Sequence, residues 1–362
     1  MRERIDREVF EALDGLLPPL WAGEAASVGL VATDHDYEDR YVGALLAGAC
    51  GDALGRPGEG RSPSQIRQRY GRLTDFVPWR GYRSGPVGTI TDDTQLTMCL
   101  AESIVERGEV DPEDLARRFV EWLPHGRGKG RATTQAVQAL TRGEPWWITG
   151  SLSAGNGAAM RAAPIGLLHP LDPEKIRWDA ALASIPTHAD PTAIAAAAAL
   201  AFGVAYCLHQ TPASFDLGRF VGGIRTVLDD LRDPGVRERR RGAGPDRIRL
   251  VDQVVEALEM SDQPAHVAFD RFNNGALVVE SVPAAFYCFA AFLDDPEEAI
   301  VTAANGGYDA DTVAAMAGNL TGALHGATSL PGRWLDQLEY RTELTRLGRQ
   351  LLDLSGLGTR SP

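Results

Sequence analysis

Two short acidic clusters, far apart in the chain, carry the side chains best suited to chemistry. They are Thr91-Asp92-Asp93-Thr94 and Asp309-Ala310-Asp311-Thr312, and each leads into an apolar pattern typical of a helix. Carboxylate and hydroxyl oxygens are hard ligands that suit Mg²⁺ or Mn²⁺. Turns at two helix starts would bring four carboxylates together, which would balance two divalent cations.

The same clusters also suit a simpler role, because Asp and Thr are common N-cap residues of helices. One residue per helix is enough for a cap. At these spacings neither Asp92 and Asp93 nor Asp309 and Asp311 share a helix face, which favours turns at helix starts over helix interiors. The pattern alone leaves metal binding and capping both open.

Three other segments combine glycine with polar residues. Gly51-Asp52-Ala53-Leu54-Gly55 precedes Glu59, although Asp52 and Glu59 also fit an ordinary helix end and a surface acid. The loops at residues 126–130 and 153–157 are rich in small residues and precede predicted helices, an arrangement that aims backbone N–H groups at an anion such as a diphosphate. His188 precedes another helix and fits either a ligand contact or a packing role.

Composition narrows the class of partner. The chain has 362 residues, 44% of them hydrophobic, and a net charge of -13, which argues against nucleic acid or an anionic membrane as a general partner. Its four cysteines stand singly in apolar surroundings and predict buried thiols in a reducing compartment, hence a cytoplasmic protein. Residues 192–208 are apolar but mostly alanine and short for a membrane span, so they predict a buried helix.

Asp-Pro pairs mark helix starts throughout the chain, and alternating strand patterns are scarce. Both features predict a mostly helical protein. Glycines repeat through the first predicted core helix, which indicates close backbone packing or a turn near a ligand. Residues 233–246, rich in arginine and glycine, predict an exposed loop between helices.

Taken in chain order, these motifs resemble those of the ADP-ribosylglycohydrolase family, which includes dinitrogenase-reductase-activating glycohydrolase and the ADP-ribosyl-acceptor hydrolases. The resemblance covers about residues 41–335. One departure is Tyr308, which stands where many members have a second glycine before the first Asp. The matching residues are Gly51 to Gly55 with Glu59, Gly88 to Thr94, Gly155 to Arg161, Thr187-His188, and Asp309 to Thr312 followed by Gly318, Gly322 and Ala323.

The resemblance implies an all-α fold, a compact orthogonal helical bundle with a binuclear metal site in a central cleft. It also implies hydrolysis of the bond between ADP-ribose and an acceptor, either a protein side chain or a small molecule, with two Mg²⁺ or Mn²⁺ ions. The implied metal ligands are Thr91, Asp92, Asp93, Asp309, Asp311 and Thr312; the implied catalytic residues are Glu59, Asp92 and Asp311; and the implied substrate contacts are Gly128, Gly130, Ser153, Gly155, Asn156, Gly157 and His188.

The domain organisation that follows is a catalytic domain at residues 41–335. A helical extension at residues 1–40 precedes it, and a C-terminal helix and tail at residues 336–362 follow it. An insertion at about residues 216–276 matches no motif; it could shape acceptor choice, join subunits, or do neither.

Two other functions fit parts of the pattern. A Mg²⁺-dependent diphosphate-processing enzyme of the prenyl-synthase type also pairs Asp-rich motifs, but such a motif needs a further acid one helical turn on, where this chain has Leu96 and Thr97. A relative that binds ADP-ribose without turnover would keep the same fold. Release of free ADP-ribose separates that relative from an enzyme.

Overall fold

Helices form almost all of the regular structure in the computed structural model, which describes residues 7–13, 15–21, 23–78, 85–229, 231, 233–237 and 247–358. Within those residues the strands form one short antiparallel hairpin. It consists of β1 (Val236–Arg237) and β2 (Arg247–Ile248), with Val236 opposite Ile248. The prediction of an all-α fold is confirmed.

The α-helices range from single turns to the 19-residue α2. Short 3-10 turns lie at Ala25–Val28, Arg56–Gly58, Pro212–Ser214 and Ala327–Ser329. In chain order the described α-helices are α1 (Arg7–Ala12), α2 (Tyr37–Gly55), α3 (Pro63–Tyr70), α4 (Asp92–Arg107), α5 (Pro112–Trp122), α6 (Arg131–Thr141), α7 (Trp146–Thr149), α8 (Ala163–Leu168), α9 (Pro173–Ser184), α10 (Pro191–Leu208), α11 (Leu217–Leu228), α12 (Leu250–Glu259), α13 (Ala265–Phe272), α14 (Val278–Ala291), α15 (Pro296–Ala304), α16 (Ala310–His325), α17 (Gly332–Leu335) and α18 (Arg341–Ser355).

Four helices begin at the predicted Asp-Pro pairs. The carboxylates of Asp111, Asp172, Asp190 and Asp295 each accept a hydrogen bond from a backbone N–H in the first turn of α5, α9, α10 and α15 respectively. Proline occupies the first helical position in each, where its missing N–H costs nothing. These helix starts are confirmed as predicted.

Among the described residues, the most extensive helix contact joins α2 to α16 through small residues. A Cβ atom on Gly51 would lie 2.0 Å from the Ala314 carbonyl oxygen, and one on Gly318 would lie 2.2 Å from the Ala47 carbonyl oxygen. Neither position has room for any side chain. The glycine pattern of α2 therefore reports close backbone packing, and this packing sets the end of α2 beside the first turn of α16.

The apolar segment at residues 192–208 lies in α10, which packs between α8, α9, α11, α14 and α16. By length and composition α10 could cross a membrane, but 94% of it is buried inside the fold. The prediction of a buried helix is confirmed.

The segment at residues 216–276 is built into the same fold. Its α11 packs against α10 and α12, while α12 and α13 pack against α14. Asp233 accepts hydrogen bonds from the Thr192 hydroxyl (2.8 Å) and from the N–H groups of Gly235 (2.8 Å) and Leu250 (2.8 Å). The predicted exposed loop at residues 233–246 is therefore wrong at its start, because Asp233 ties the hairpin to α10; residues 238–246 lie outside the described residues.

The C-terminal helix α18 packs against α2, α4 and α8. Just before it, Glu339 accepts hydrogen bonds from the Arg127 guanidinium and from the Ile90 N–H (3.2 Å). The chain end therefore supports the segment that leads into α4.

We expect Gly51→Ala to lower the free energy of unfolding by about 1–3 kcal/mol, because the added methyl group must push α2 away from α16. Gly222→Ala is the matched control: Gly222 lies within α11 and a Cβ there meets nothing within 4 Å. Alanine there should stabilise by up to about 1 kcal/mol. Urea unfolding measures both changes, and equal stabilities for the two variants would contradict the close contact.

Candidate active site and metal centre

A buried carboxylate holds the first acidic cluster in place. Asp52, near the end of α2, is fully buried and accepts hydrogen bonds from the N–H and hydroxyl of Thr91 (2.9 and 2.8 Å) and of Thr94 (3.1 and 2.6 Å). A carboxylate has about four lone-pair sites, so these donors occupy the capacity of Asp52. Asp52 therefore positions the turn before α4 rather than offering a free oxygen to a ligand.

Two other buried carboxylates each have one oxygen that accepts no hydrogen bond. Asp93 and Asp311 are each 3% exposed, and the Oδ1 atom of each is buried without a hydrogen-bond partner. One oxygen from each of Asp52, Asp93 and Asp311 falls within 4.8 Å of the others. A buried acceptor without a donor is costly, and a cation between Asp93 and Asp311 would satisfy both oxygens.

The electrostatics of this cluster agree with its geometry. Burial raises the pKa of Asp93 and of Asp311 well above that of an ordinary aspartate, and repulsion from neighbouring carboxylates adds to the effect. Burial, followed by the charge of Asp52, also raises the pKa of Asp92 to about 7. A positive charge bound among these groups would favour their ionised forms.

Helix capping accounts for only one of these side chains. Thr91 is the N-cap of α4, and its hydroxyl accepts from the Asp93 N–H at 3.4 Å. Asp309 occupies the N-cap position of α16, yet its carboxylate makes no capping hydrogen bond and instead accepts from the Asn156 side chain. The structure thus places both clusters at helix starts, as predicted, and the Asp309 carboxylate accepts from a side chain outside its own helix.

Asn274 fixes the loop before Asp309. It is fully buried, its backbone carbonyl accepts from the Asp309 N–H at 3.0 Å, and its side chain donates to the Gly307 carbonyl. Both Asn273 and Asn274 adopt left-handed backbone conformations (φ 69° and 45°). Sequence reasoning missed this residue, although Asn-Asn-Gly is a recognisable turn signal.

Tyr308, the departure from the family pattern, also has a left-handed backbone (φ 56°). Its N–H donates to the Arg61 carbonyl and its carbonyl accepts from the Gly60 N–H, both at 2.6 Å. These two bonds join the loop that carries Glu59 to the loop that carries Asp309. The Tyr308 side chain is 47% exposed and lines the cleft.

Glu59 follows the 3-10 turn at the end of α2 and differs from the buried aspartates in its exposure. Its side chain is 37% exposed, forms an ion pair with Arg56 and lines the same cleft as Asp93 and Asp311. A carboxylate in that position can exchange protons with a bound molecule more readily than the buried ones.

The loop at residues 126–130 contacts the acidic cluster directly. The Gly130 N–H donates to Asp92 at 3.3 Å, and a Cβ on Gly128 would lie 2.7 Å from the other Asp92 oxygen. Gly128 has φ +68°, which favours glycine as well. The loop opens into α6 at Arg131, as predicted.

The second small-residue loop packs on His188. A Cβ on Gly157 would lie 2.7 Å from the His188 ring, whose Nδ1 atom is 2.9 Å from the Thr187 hydroxyl. Arg161 donates to the Gly157 carbonyl (2.6 Å) and to the Thr187 hydroxyl (2.7 Å). Burial and the charge of Arg161 lower the pKa of His188 to about 3, so the ring is neutral near pH 7. The helix predicted to follow this loop starts only at Ala163, after a series of turns.

All the predicted site residues except Thr91 line one cleft of about 1020 Å³. Thr91 lies behind it; its hydroxyl donates to Asp52 at 2.8 Å and lies 3.0 Å from an Asp93 oxygen. The predicted site residues that line the cleft are Glu59, Asp92, Asp93, Gly128, Gly130, Ser153, Gly155, Asn156, Gly157, His188, Asp309, Asp311 and Thr312.

The cleft also has a wall that no sequence motif indicated. It comes from the segment at residues 216–276: Val236 and Ile248 of the hairpin, Gln253 of α12, and residues 269–273 at the end of α13. The segment thus contributes to the site itself.

The model of the ADP-ribosylglycohydrolase family matches residues 33–360. The chain belongs to the ADP-ribosylglycohydrolase family. It is 30% identical to the ADP-ribosyl-[dinitrogen reductase] glycohydrolase of Rhodospirillum rubrum, over 90% of this chain and 99% of that protein. It is 28% identical to an ADP-ribosylarginine hydrolase of Serratia proteamaculans, over 86% of this chain and 79% of that protein.

A solved structure agrees with this assignment. The chain is similar to a protein from an ADP-ribosylglycohydrolase-related protein complex, with a TM-score of 0.67, 29% identity, and coverage of 88% of this chain and 99% of the other. ADP-ribosylglycohydrolases hydrolyse glycosidic bonds to ADP-ribose, so the protein is a hydrolase of that class. The predicted family, fold class and enzyme class are confirmed.

We expect Asp52→Asn to weaken Mg²⁺ or Mn²⁺ binding about 10-fold or more, as loss of a group that orients metal ligands commonly does. The amide would present N–H groups to donors that now meet an oxygen, so the turn at Thr91 would shift. Calorimetric titration of the ion measures the effect.

Asp114→Asn is the control for burial, because Asp114 is also buried but pairs with arginines of α4 and α5, outside the cleft. It should lose stability and keep its affinity for the ion. Wild-type ion affinity in Asp52→Asn would show that the turn does not depend on Asp52.

Proposed function

We propose that the protein is a metal-dependent ADP-ribosylglycohydrolase that uses two divalent ions, Mg²⁺ or Mn²⁺, and releases ADP-ribose from an acceptor. The observation that carries the metal requirement is the pair of buried, unpartnered oxygens on Asp93 and Asp311 at the floor of the cleft. Buried charges normally pair with an opposite charge or bind a metal. One oxygen of Asp93 and one of Asp311 lie within 4.8 Å of each other, a separation that suits a bound divalent cation.

The ligands we propose are the carboxylates of Asp92, Asp93, Asp309 and Asp311 and the hydroxyls of Thr91 and Thr312. The Thr91 hydroxyl donates its one hydrogen bond to a carboxylate. A lone pair on the hydroxyl oxygen is therefore left for an ion. Bound divalent ions would hold the two ribose hydroxyls and lower the pKa of a bound water.

The two small-residue loops are the proposed diphosphate site. Residues 130–133 at the start of α6 line the cleft, and an anion bound there would gain from the helix dipole. Lys129 and Arg131 line the cleft beside Gly128 and Gly130 and add positive charge on that side. The neutral ring of His188 can hydrogen-bond to ribose or phosphate without adding charge.

Glu59 is the residue we propose for proton transfer. Cleavage of the glycosidic bond develops oxocarbenium character on the ribose, which the surrounding carboxylates stabilise. Glu59 either takes a proton from the attacking water or gives one to the leaving group or ring. Its exposure within the cleft suits both tasks.

The acceptor would meet the wall formed by α13 and the hairpin. The two relatives are named for ADP-ribosylated dinitrogen reductase and for ADP-ribosylarginine. Modified arginine is accordingly the first acceptor to test, followed by modified serine and small ADP-ribose esters.

We also propose a cytoplasmic location. The free thiols support it; they belong to Cys50, Cys99, Cys207 and Cys288. Buried thiols were predicted at all four positions, but Cys99 is only partly buried.

Family membership removes the prenyl-synthase alternative. A relative that binds ADP-ribose without turnover would share the fold and the cleft. The presence of Glu59 together with all six proposed ligands favours turnover.

We expect ADP-ribose to stabilise the protein in the presence of Mg²⁺, by about 2.7 kcal/mol at a concentration of 100 times Kd. AMP lacks the second ribose and should do much less, because the ions would have no diol to hold. A thermal-shift titration compares the two ligands.

The control is the same titration with EDTA, in which the ADP-ribose shift should fall towards that of AMP. Equal shifts from AMP and ADP-ribose with Mg²⁺ present would mean that the cleft binds nucleotides in general, and would contradict the proposed role of the ions.

A further inference from the structure

Arg56 is a cation next to the acidic cluster, and the proposed mechanism gives it no role. It follows α2 directly, and its side chain is 13% exposed. Its guanidinium pairs with Glu59 and lies 3.5 Å from the Asp311 carboxylate. A Cβ on Gly128 would also lie 3.5 Å from the same nitrogen, so Arg56 reaches three parts of the site at once.

The charges in and next to the acidic cluster explain why a cation is useful at this position. Six carboxylates lie in the cluster or next to it, whereas two divalent ions would bring four positive charges; the six belong to Asp52, Asp92, Asp93, Asp309, Asp311 and Glu59. Asp52 meets N–H groups at the start of α4, where the helix dipole favours a negative charge. Glu59 is the remaining carboxylate, and Arg56 is its partner.

Arginine is also the side chain whose shape fits this position. The guanidinium is planar and rigid, whereas lysine is a compact point charge on a flexible stem. One guanidinium nitrogen of Arg56, Nη1, meets both Glu59 and Asp311. A residue that contacts a metal ligand and the proton-transfer residue together can influence both.

We propose that Arg56 is a positioning residue, whose guanidinium holds the Glu59 carboxylate at the edge of the metal centre and limits how tightly Asp311 binds divalent ions. The proposal rests on the proposed function of the cleft. Arg56 adds a positive charge close to the carboxylates that are proposed to bind divalent ions.

The test compares Arg56→Gln with Arg67→Gln, using full-length protein stripped of metal with EDTA. Arg67 lies on the exposed face of α3 and its loss makes the same change in net charge. Because Arg56→Gln removes a positive charge next to Asp311, its Mn²⁺ affinity should rise about 10-fold by calorimetry. Its metal-free form should melt at a lower temperature, since the carboxylates lose a neutralising partner.

ADP-ribose release provides a second readout. We expect kcat of Arg56→Gln to fall with little change in KM, because Glu59 loses the group that holds it. Arg56→Lys should return the Mn²⁺ affinity close to the wild-type value, since the charge is kept, while kcat stays below wild type. Arg67→Gln should match the wild type in all three measurements.

Equal Mn²⁺ affinity for Arg56→Gln, Arg67→Gln and wild type would overturn the proposal. If Arg56→Gln does not fold, Arg56→Lys decides: wild-type kcat in that variant would show that Glu59 does not depend on the guanidinium of Arg56, and would overturn the proposal. Failure of the proposed function gives a different result, because the wild type itself would then bind no Mn²⁺ and release no ADP-ribose.

Discussion

The backbone contact between α2 and α16 is the constraint on which the site depends. Glycines at this contact let the two helices approach until carbonyl oxygens of one would touch any Cβ on the other. A Cβ on Gly55 would lie 2.6 Å from the Cα of Asp311, so the end of α2 and the first turn of α16 meet at the acidic cluster. The glycines cost helix propensity, and the burial of both helices offsets that cost.

The other parts of the site are attached to this pair of helices by polar contacts. Asp52 of α2 holds the turn that starts α4, and Asn274 together with Asn156 holds the loop that starts α16. The backbone of Tyr308 ties that loop to the segment after Glu59. Elements from both ends of the chain therefore keep a fixed geometry around carboxylates that repel one another. Carboxylates packed this closely can all be ionised only with compensating positive charge, and that requirement links the fold to the chemistry.

Much of the site could be predicted because its residues stand in short sequence motifs whose residue types indicate their chemistry. Asp92, Asp93, Asp309 and Asp311 stand in short clusters at helix starts, and glycine-rich loops are visible as strings. The structure brings these predicted groups to one cleft, with Thr91 just behind it. The assignment of each as ligand or contact remains a prediction, because it depends on bound ions and substrate.

The site residues that sequence reasoning missed act through tertiary contacts that no sequence motif indicates. Asn274 works by accepting from one backbone N–H and donating to one carbonyl, partners that every residue offers. The role proposed for Arg56 depends on its contact with Asp311, which is distant in sequence. The wall from residues 216–276 follows from the packing of α12 and α13 on α14, and apolar helix faces do not specify which neighbour they will meet.

Release of free ADP-ribose from chemically defined arginine-linked and serine-linked substrates is the most direct test of the metal-dependent hydrolase. Wild-type protein and Asp311→Asn would be stripped with EDTA and assayed without added metal, with Mg²⁺ and with Mn²⁺. We predict that the wild type releases ADP-ribose from at least one substrate only when a divalent ion is added, and that Asp311→Asn, which loses a charge beside the ions, releases almost none. Equal release by the stripped and the metal-loaded wild type, or by Asp311→Asn and the wild type, would contradict a catalytic metal centre built on these carboxylates.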